Sequence, residues 1–274
     1  MKRISARRIL LSALLVSSLF ALSGCTGTVY NDRVPVPGLS EGIYTHYIFQ
    51  AVLFHLLQVP IIGVVLWLCW RVLFPPYYKV RTKGLSIELW VSKRKFPWAS
   101  LSQGFIVPVA PDLKMNFGSA KIARDWGANR AQYEAEEVAP LRPGDAFIGS
   151  GARYRWKHTA LAVIFDEQKR TNTELLTQAL RTAIAKLSAE EVTSALIPDL
   201  TDNLIAQPNW ITDEQREETA RKTARMMLDA LVNANSDLKV ARIWVFDPRN
   251  RDIFAEEMEK WQEEYDAKTS AQSA

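Results

Sequence analysis

The chain has 274 residues, 48% apolar and 23% charged, with a formal net charge of +4. That balance belongs to a folded protein and excludes a disordered or fibrous one. The basic residues are scattered and form no stripe with interleaved aromatics, which argues against nucleic-acid binding.

The two cysteines, Cys25 and Cys69, both lie in the first part of the chain. The remainder therefore has neither a disulfide nor a thiolate metal site. No His/Cys/Asp cluster has metal-ligand spacing and no phosphate-loop pattern occurs, so no metal and no cofactor are expected.

Residues 1–25 read as a lipoprotein-like signal peptide. Lys2, Arg3, Arg7 and Arg8 form a positive start, Ile9 to Leu22 an apolar stretch, and Leu22-Ser23-Gly24-Cys25 an ending that resembles a bacterial lipobox. Cys25 is the expected lipidation site. The alternative is an uncleaved signal anchor with a chance cysteine.

After a short periplasmic segment, 26–46, a second apolar run covers 47–74. Its centre, Ala51 to Trp70, is about 20 residues without a formal charge, the length needed to cross roughly 30 Å of hydrocarbon. Tyr44, Tyr47, Trp67, Trp70, Tyr77 and Tyr78 stand near its ends, where amphipathic rings favour the interface. Pro60 and Gly63 predict a kink or contact with a partner helix. His55 and Gln58 read more simply as tolerated polar groups than as a proton path. Arg71, Lys79, Arg81, Lys83, Lys93, Arg94 and Lys95 follow the run, so the positive-inside rule puts that flank in the cytoplasm. The expectation is a single-pass protein of a bacterial inner membrane, N-terminus periplasmic and C-terminal domain cytoplasmic. Lys93-Arg94-Lys95 would meet anionic lipid.

The remaining chain, 79–266, alternates strands and helices. Ser86 to Val91 alternates as a strand, and Gly104 to Ala110 is a continuous apolar run that reads as a buried strand, with Pro108 as a blemish. Ser119 to Glu137 reads as one or two helices broken near Gly127. Ala146 to Ile148 and Thr159 to Phe165 read as strands. Thr171-Asn172-Thr173-Glu174 reads as a capping box opening a helix through Leu187. A strand is expected at Thr193 to Ile197, and a second capping box at Thr212-Asp213-Glu214-Gln215 opens a helix to about Val232. Val240 to Phe246 is a strand, Ile253 to Tyr265 an amphipathic helix, and 267–274 a Ser/Ala/Gln-rich tail expected to be disordered. The pattern predicts an α/β domain with a mixed, mostly parallel sheet covered on both faces. Ligands of such sheets sit beyond the strand carboxyl ends. The loops to watch are therefore Pro111 to Ser119, Gly149 to Arg155, Pro198 to Pro208 and Asp247 to Arg251.

The order of these elements and several strings resemble the macro domain, the ADP-ribose-binding fold, over about 86–258. Phe105-Ile106-Val107-Pro108-Val109-Ala110 resembles the family's strand into its first ligand loop. Met115-Asn116-Phe117-Gly118-Ser119-Ala120-Lys121-Ile122-Ala123 with Trp126-Gly127 is similar to the glycine-bearing helix start after it. Ala139 to Ala146 and Ser150-Gly151 resemble the next strand's entry and end, and Ala195-Leu196-Ile197-Pro198-Asp199-Leu200-Thr201 the strand leading to the distal phosphate loop. The resemblance implies a macro domain-like three-layer mixed sheet, and a ligand site drawn from Asp112, Asn116, Phe117, Gly118, Ser119, Ser150, Gly151, Thr201, Asp202 and Asn203. The sequence departs from the family at the adenine-contacting acid, at the Asn-containing motif replaced by Pro111-Asp112, and at the phosphate loops. Gly118 stands alone where a run is usual, and Thr201-Asp202-Asn203-Leu204 has no glycine. Glycines matter there because a phosphate cradle needs close backbone approach and free N–H groups.

Each candidate has a plainer reading. Asp112, Asn116 and Ser119 suit turns and caps, as do Thr201, Asp202 and Asn203. Ser150 lacks a nucleophile elbow, and His158 has no identified orienting partner, so no catalytic residue is assigned. The primary expectation is a membrane-anchored module binding a nucleotide or ADP-ribose-type ligand. The alternative is a non-catalytic scaffold of a membrane assembly that has lost ligand binding, with membrane lipid and a membrane protein contacting the 47–74 helix as partners. ADP-ribosyl hydrolysis ranks last.

Overall fold

The computed structural model describes residues 76–273 apart from 83, 93–101, 153–155, 206–210 and 235. The leader, Cys25, the 47–74 run and the Lys93-Arg94-Lys95 contact lie outside the described residues. Among the described residues no helix is long and apolar enough to cross a membrane.

Seven strands form one sheet: β1 (Tyr78–Thr82), β2 (Leu85–Val91), β3 (Gly104–Val109), β4 (Ala146–Ser150), β5 (His158–Val163), β6 (Ser194–Pro198) and β7 (Val240–Val245). Their order is β1-β2-β7-β6-β3-β5-β4. The central pairs are parallel, while β1 on β2 and β4 on β5 are antiparallel. The helices are α1 (Gly118–Ala123), α2 (Asn129–Glu136), α3 (Thr173–Ala189), α4 (Thr201–Leu204), α5 (Asp213–Asn233) and α6 (Asn250–Ser273). A widened π turn over Arg124–Ala128 joins α1 to α2, and Gly127 breaks it with φ +114°, the kink expected there.

Three layers follow from the two-residue period of the strands. Phe105, Val107 and Val109 of β3, with Leu161 and Val163 of β5, face α1 and α2. Ile106, Ala160, Ala162, Ala241 and Ile243 point the other way, onto α3, α5 and α6. Phe105 is the hub of the first core, edge-on to Trp156 at 5.1 Å and tilted against Trp244 at 6.4 Å. Pro108 is tolerated because the ladder of β3 with β6 covers only Gly104 and Phe105. Past that point the strand pairs with β5 alone.

Several expectations need correction. The first capping box is not formed, because the cap is Asn172, whose Oδ1 accepts from Leu175 N at 2.8 Å. Asn is as strong a cap as Thr, and the shift by one residue moves Glu174 to the wrong position to reach back. The tail is helical to Ser273. It contains no Gly or Pro to stop a helix, and Thr269 and Ser270 bond back to the carbonyls of Tyr265 and Asp266. Tyr78, Lys79 and Arg81 lie in an edge strand, β1, that the sequence pattern did not suggest, with Lys79 paired to Glu88 at 2.9 Å.

The second capping box is formed in both directions. Thr212 Oγ1 accepts from Gln215 N, and Gln215 Oε1 accepts from Thr212 N. Thr212→Ala is expected to lower stability by about 1 kcal/mol, read as a shift in the urea midpoint at constant slope. An unchanged midpoint would show that the cap contributes nothing.

Candidate functional site

In sheet order, β7, β6, β3 and β5 are parallel neighbours, so their carboxyl ends open onto one edge. Residues 110–117 leave that edge after β3, Ile164 onward after β5, Asp199 onward after β6, and Phe246 onward after β7. The structure therefore brings Asp112, Asn116, Phe117, Gly118 and Ser119 to the same edge as Thr201, Asp202 and Asn203.

Ser150 and Gly151 are not with them. β4 runs antiparallel to β5, and Ser150 pairs with His158, the first residue of β5, at the opposite edge. Ser150 N and Oγ donate to Glu134 at 2.7 and 2.6 Å, so this serine ties β4 to α2. Burial pushes the Glu134 carboxyl up, but these bonds and Arg130 outweigh it and hold it below its usual range. Gly151 is where it is because of space: a Cβ there would stand 2.0 Å from the carbonyl oxygen of Trp156. His158 also sits at this far edge.

At the carboxyl edge the β3 loop is shaped by its own polar side chains. Asp112 Oδ1 accepts from Lys114 N at 3.3 Å, and Asn116 Oδ1 accepts from Arg124 Nη1 at 2.8 Å. The Asp112 bond is the turn of the plainer reading, whereas Asn116 neither caps nor turns but holds a guanidinium; both side chains stay exposed. Phe117 is 47% exposed and meets Phe165, beyond β5, edge-on at 6.1 Å. Gly118 has φ +54° with nothing within 4 Å of where a Cβ would stand, so the space beside this backbone is open. Across β3 and β6, Phe246 is 49% exposed at the end of β7, edge-on to Trp244 at 6.1 Å.

The loops after β6 and β7 share a polar cluster in which sequence reasoning found Thr201 and Asp202 but missed the parts of Asp199, Asn250 and Arg216. Asp199 is partly buried. Its Oδ1 accepts from Thr201 N at 2.9 Å and from Thr201 Oγ1 at 2.5 Å, and its Oδ2 accepts from Asn250 Nδ2 at 2.7 Å. Burial pushes the Asp199 carboxyl up, and Asp202 adds to that, against the bonds from Asn250 and Thr201. Thr201 is 0% exposed, so its hydroxyl serves Asp199 and is not offered to a ligand. Asp202 and Asn203 remain at the surface. Asp202 Oδ1 accepts from Arg216 Nη1 at 3.0 Å, and Asp247 Oδ2 is 3.9 Å from the same nitrogen. Arg249 grips Asp247 at 2.6 Å and holds its carboxyl below its usual range. No local signal marks Arg216, which lies inside α5, although the loops after β6 and β7 that hold the other members are among those to watch. Phe246 had one: a large ring directly before Asp247-Pro248. Among the described residues, no group of three or more His, Cys, Asp or Glu is placed to hold a metal ion.

The sheet order, two antiparallel edge strands and helices on both faces recur in solved structures. A macrodomain of Oceanobacillus iheyensis with MES bound superposes with a TM-score of 0.55 at 15% identity, covering 68% of this chain and 97% of that one. The fold is that of a macrodomain. The same organism's macrodomain with ADP gives 0.55 at 15% identity over 68% and 96%, and a Trypanosoma brucei macrodomain in complex with ADP gives 0.51 at 9% over 63% and 68%. No family model and no curated protein matches the sequence. The macrodomain architecture is thus carried by backbone topology and core pattern, with little residue identity.

Proposed function

We propose that this protein is a membrane-anchored macro-like module whose carboxyl-edge site takes a nucleotide or ADP-ribose-type ligand on the cytoplasmic face. The observation that carries the ligand half is the pair of exposed rings, Phe117 and Phe246, on loops flanking the ends of β3 and β6 beside the open backbone at Gly118. Flat rings in water offer stacking faces to a base, and an unobstructed glycine lets a phosphate approach main-chain N–H groups. Solved proteins of this fold, at low identity, are named as complexes with ADP. The anchoring half rests on sequence: the lipobox-like ending at Cys25, the uncharged run at 51–70 and the basic flank after it.

A second reading is favoured by one feature. Thr201-Asp202-Asn203 form a helical turn without glycine, and Asp202 puts a carboxylate where this resemblance implies a phosphate. Under this reading the domain is a non-catalytic scaffold of a membrane assembly.

Calorimetric titration of the full chain in detergent with ADP-ribose separates the two. Micromolar binding is expected, with at least a tenfold loss in Gly118→Glu, which crowds the open backbone and repels phosphate. Gly118→Ala checks for strain alone, since a φ of +54° suits glycine. A folded chain that gives no heat with ADP-ribose or a panel of nucleotides leaves the scaffold reading.

A further inference from the structure

Arg216 is held unlike the other arginines of the carboxyl edge. Its side chain is only 13% exposed, yet it opens α5 between two loops that carry acids, the β6 loop with Asp202 and the β7 loop with Asp247. Asp247 already has its own cation in Arg249, whose Nη2 and Nε both donate to Oδ2, at 2.6 and 3.0 Å. Asp202 is therefore the chief counter-charge of Arg216. The contact is made by one nitrogen, Nη1. The Nε and Nη2 edge of this guanidinium has no protein acceptor among the described residues. That edge is the one that grips an oxyanion with two parallel bonds.

The two members of the pair differ in freedom. Arg216 is packed in place, whereas the Asp202 side chain is 70% exposed. A fixed cation and a loose carboxylate make an exchangeable contact. Pairs of this exposure are weak because water and salt compete for the loose member. A phosphate offers Arg216 more charge and a planar fit to two nitrogens, and displacing Asp202 also removes a like charge from beside it.

We infer that Arg216 is the anion-recognition residue of the carboxyl-edge site and that Asp202 is its resident carboxylate, displaced when a diphosphate-bearing ligand binds. The inference rests on the ligand reading of that edge. It accounts for a loop without glycines: the anion is held by a side chain, where a glycine loop would use main-chain N–H groups. It also assigns Asp202 the role of a gate that sets affinity and selects dianionic ligands over singly charged ones.

Inorganic pyrophosphate and ADP-ribose are titrated calorimetrically into the full chain in detergent, as wild type, Asp202→Asn, Arg216→Gln and the double variant, each checked for fold by circular dichroism. Asp202→Asn is expected to bind pyrophosphate about fivefold more tightly than wild type. Arg216→Gln is expected to lose at least tenfold, and the Asp202 substitution is expected to have no effect once Arg216 is gone. Tighter pyrophosphate binding in Asp202→Asn that requires Arg216 supports the inference even if ADP-ribose gives no heat, in which case the nucleotide reading alone fails. Equal affinities across the four folded proteins overturn it, whether or not ADP-ribose binds. A gain in Asp202→Asn that persists in the double variant also overturns it, because the charge would then act without Arg216.

Discussion

Gly151→Ala is expected to cripple folding and to leave the ligand affinity of whatever folds unchanged. The resemblance would place this glycine at a ligand, and the structure places it at the amino edge of the sheet. An added Cβ would meet three backbone atoms: Trp156 O at 2.0 Å, Lys157 C at 2.5 Å and Lys157 O at 2.6 Å. Backbone cannot step aside as a side-chain end can, and this backbone is pinned. Gly151 N donates to Lys157 O at 2.9 Å, and Lys157 N donates to Gln103 O at 2.7 Å. The Trp156 indole is 6% exposed, packs on Phe105 and donates to Thr159 Oγ1 at 2.9 Å. Clearing the methyl group thus means pulling a tryptophan out of register in the first core. The cost expected is about 4 kcal/mol, in the exceptional tail of single substitutions, and a fall in melting temperature of roughly 10 °C. Melting followed by circular dichroism checks it. A variant melting within two degrees of wild type would show that the β4–β5 connection yields, and would reopen a ligand role for this loop.

The misplacement of Ser150 and Gly151 shows what a strand pattern leaves open. Ala146, Phe147 and Ile148 reveal a strand, but the two-residue period is the same in either direction. Only the pairing of Ser150 with His158 decides which edge the following loop occupies. β3, β5, β6 and β7 were legible with their direction because each feeds a helix, and such crossovers run one way. β1 was hidden by its composition. Lys79 and Arg81 point outward between the inward Val80 and Thr82, which is how an edge strand guards itself against pairing with another chain. The same charges also satisfy the positive-inside pattern, so the strand was read only as a membrane flank. At the candidate site, the position of Phe117 and Gly118 beyond β3 was legible through the resemblance of the string Met115 to Ala123. Asp199, Asn250 and Arg216 were not. Their roles come from enclosure and from contacts across 51 and 14 residues of sequence, which no local pattern carries.

Asp199→Asn is expected to stabilise the protein at neutral and alkaline pH and to remove a pH dependence that the wild type shows. Burial of this partly covered carboxyl holds its pKa above that of the unfolded chain. The sign follows from proton binding. A carboxyl that binds its proton more tightly when folded contributes stability fully present below the unfolded value, near pH 4, and lost as pH rises through the folded value. Wild-type stability is therefore expected to decline over that window, and the asparagine variant to stay level through it. The geometry receives the amide well. Its oxygen replaces Oδ1 as acceptor for Thr201 N and Oγ1, and its nitrogen faces Asn250, whose buried Oδ1 has no partner among the described residues. A half-turn of the Asn250 amide brings that oxygen round to accept. Asp199→Ala separates the charge from the bonds. It removes the titration too, but strands the Thr201 and Asn250 donors at about 1–3 kcal/mol for each buried group left unpaired. Urea midpoints of the three proteins from pH 4 to pH 8 distinguish these effects. Parallel curves for wild type and Asp199→Asn would mean that the carboxyl does not titrate in this range and that burial is offset by its three donors. A divergence that widens with pH would place an ionisable latch between the end of β6 and the start of α6, directly under the loops that carry Asp202 and Phe246. Ligand affinity at that edge would then weaken over the same pH window, because ionising Asp199 adds a buried negative charge beside Asp202.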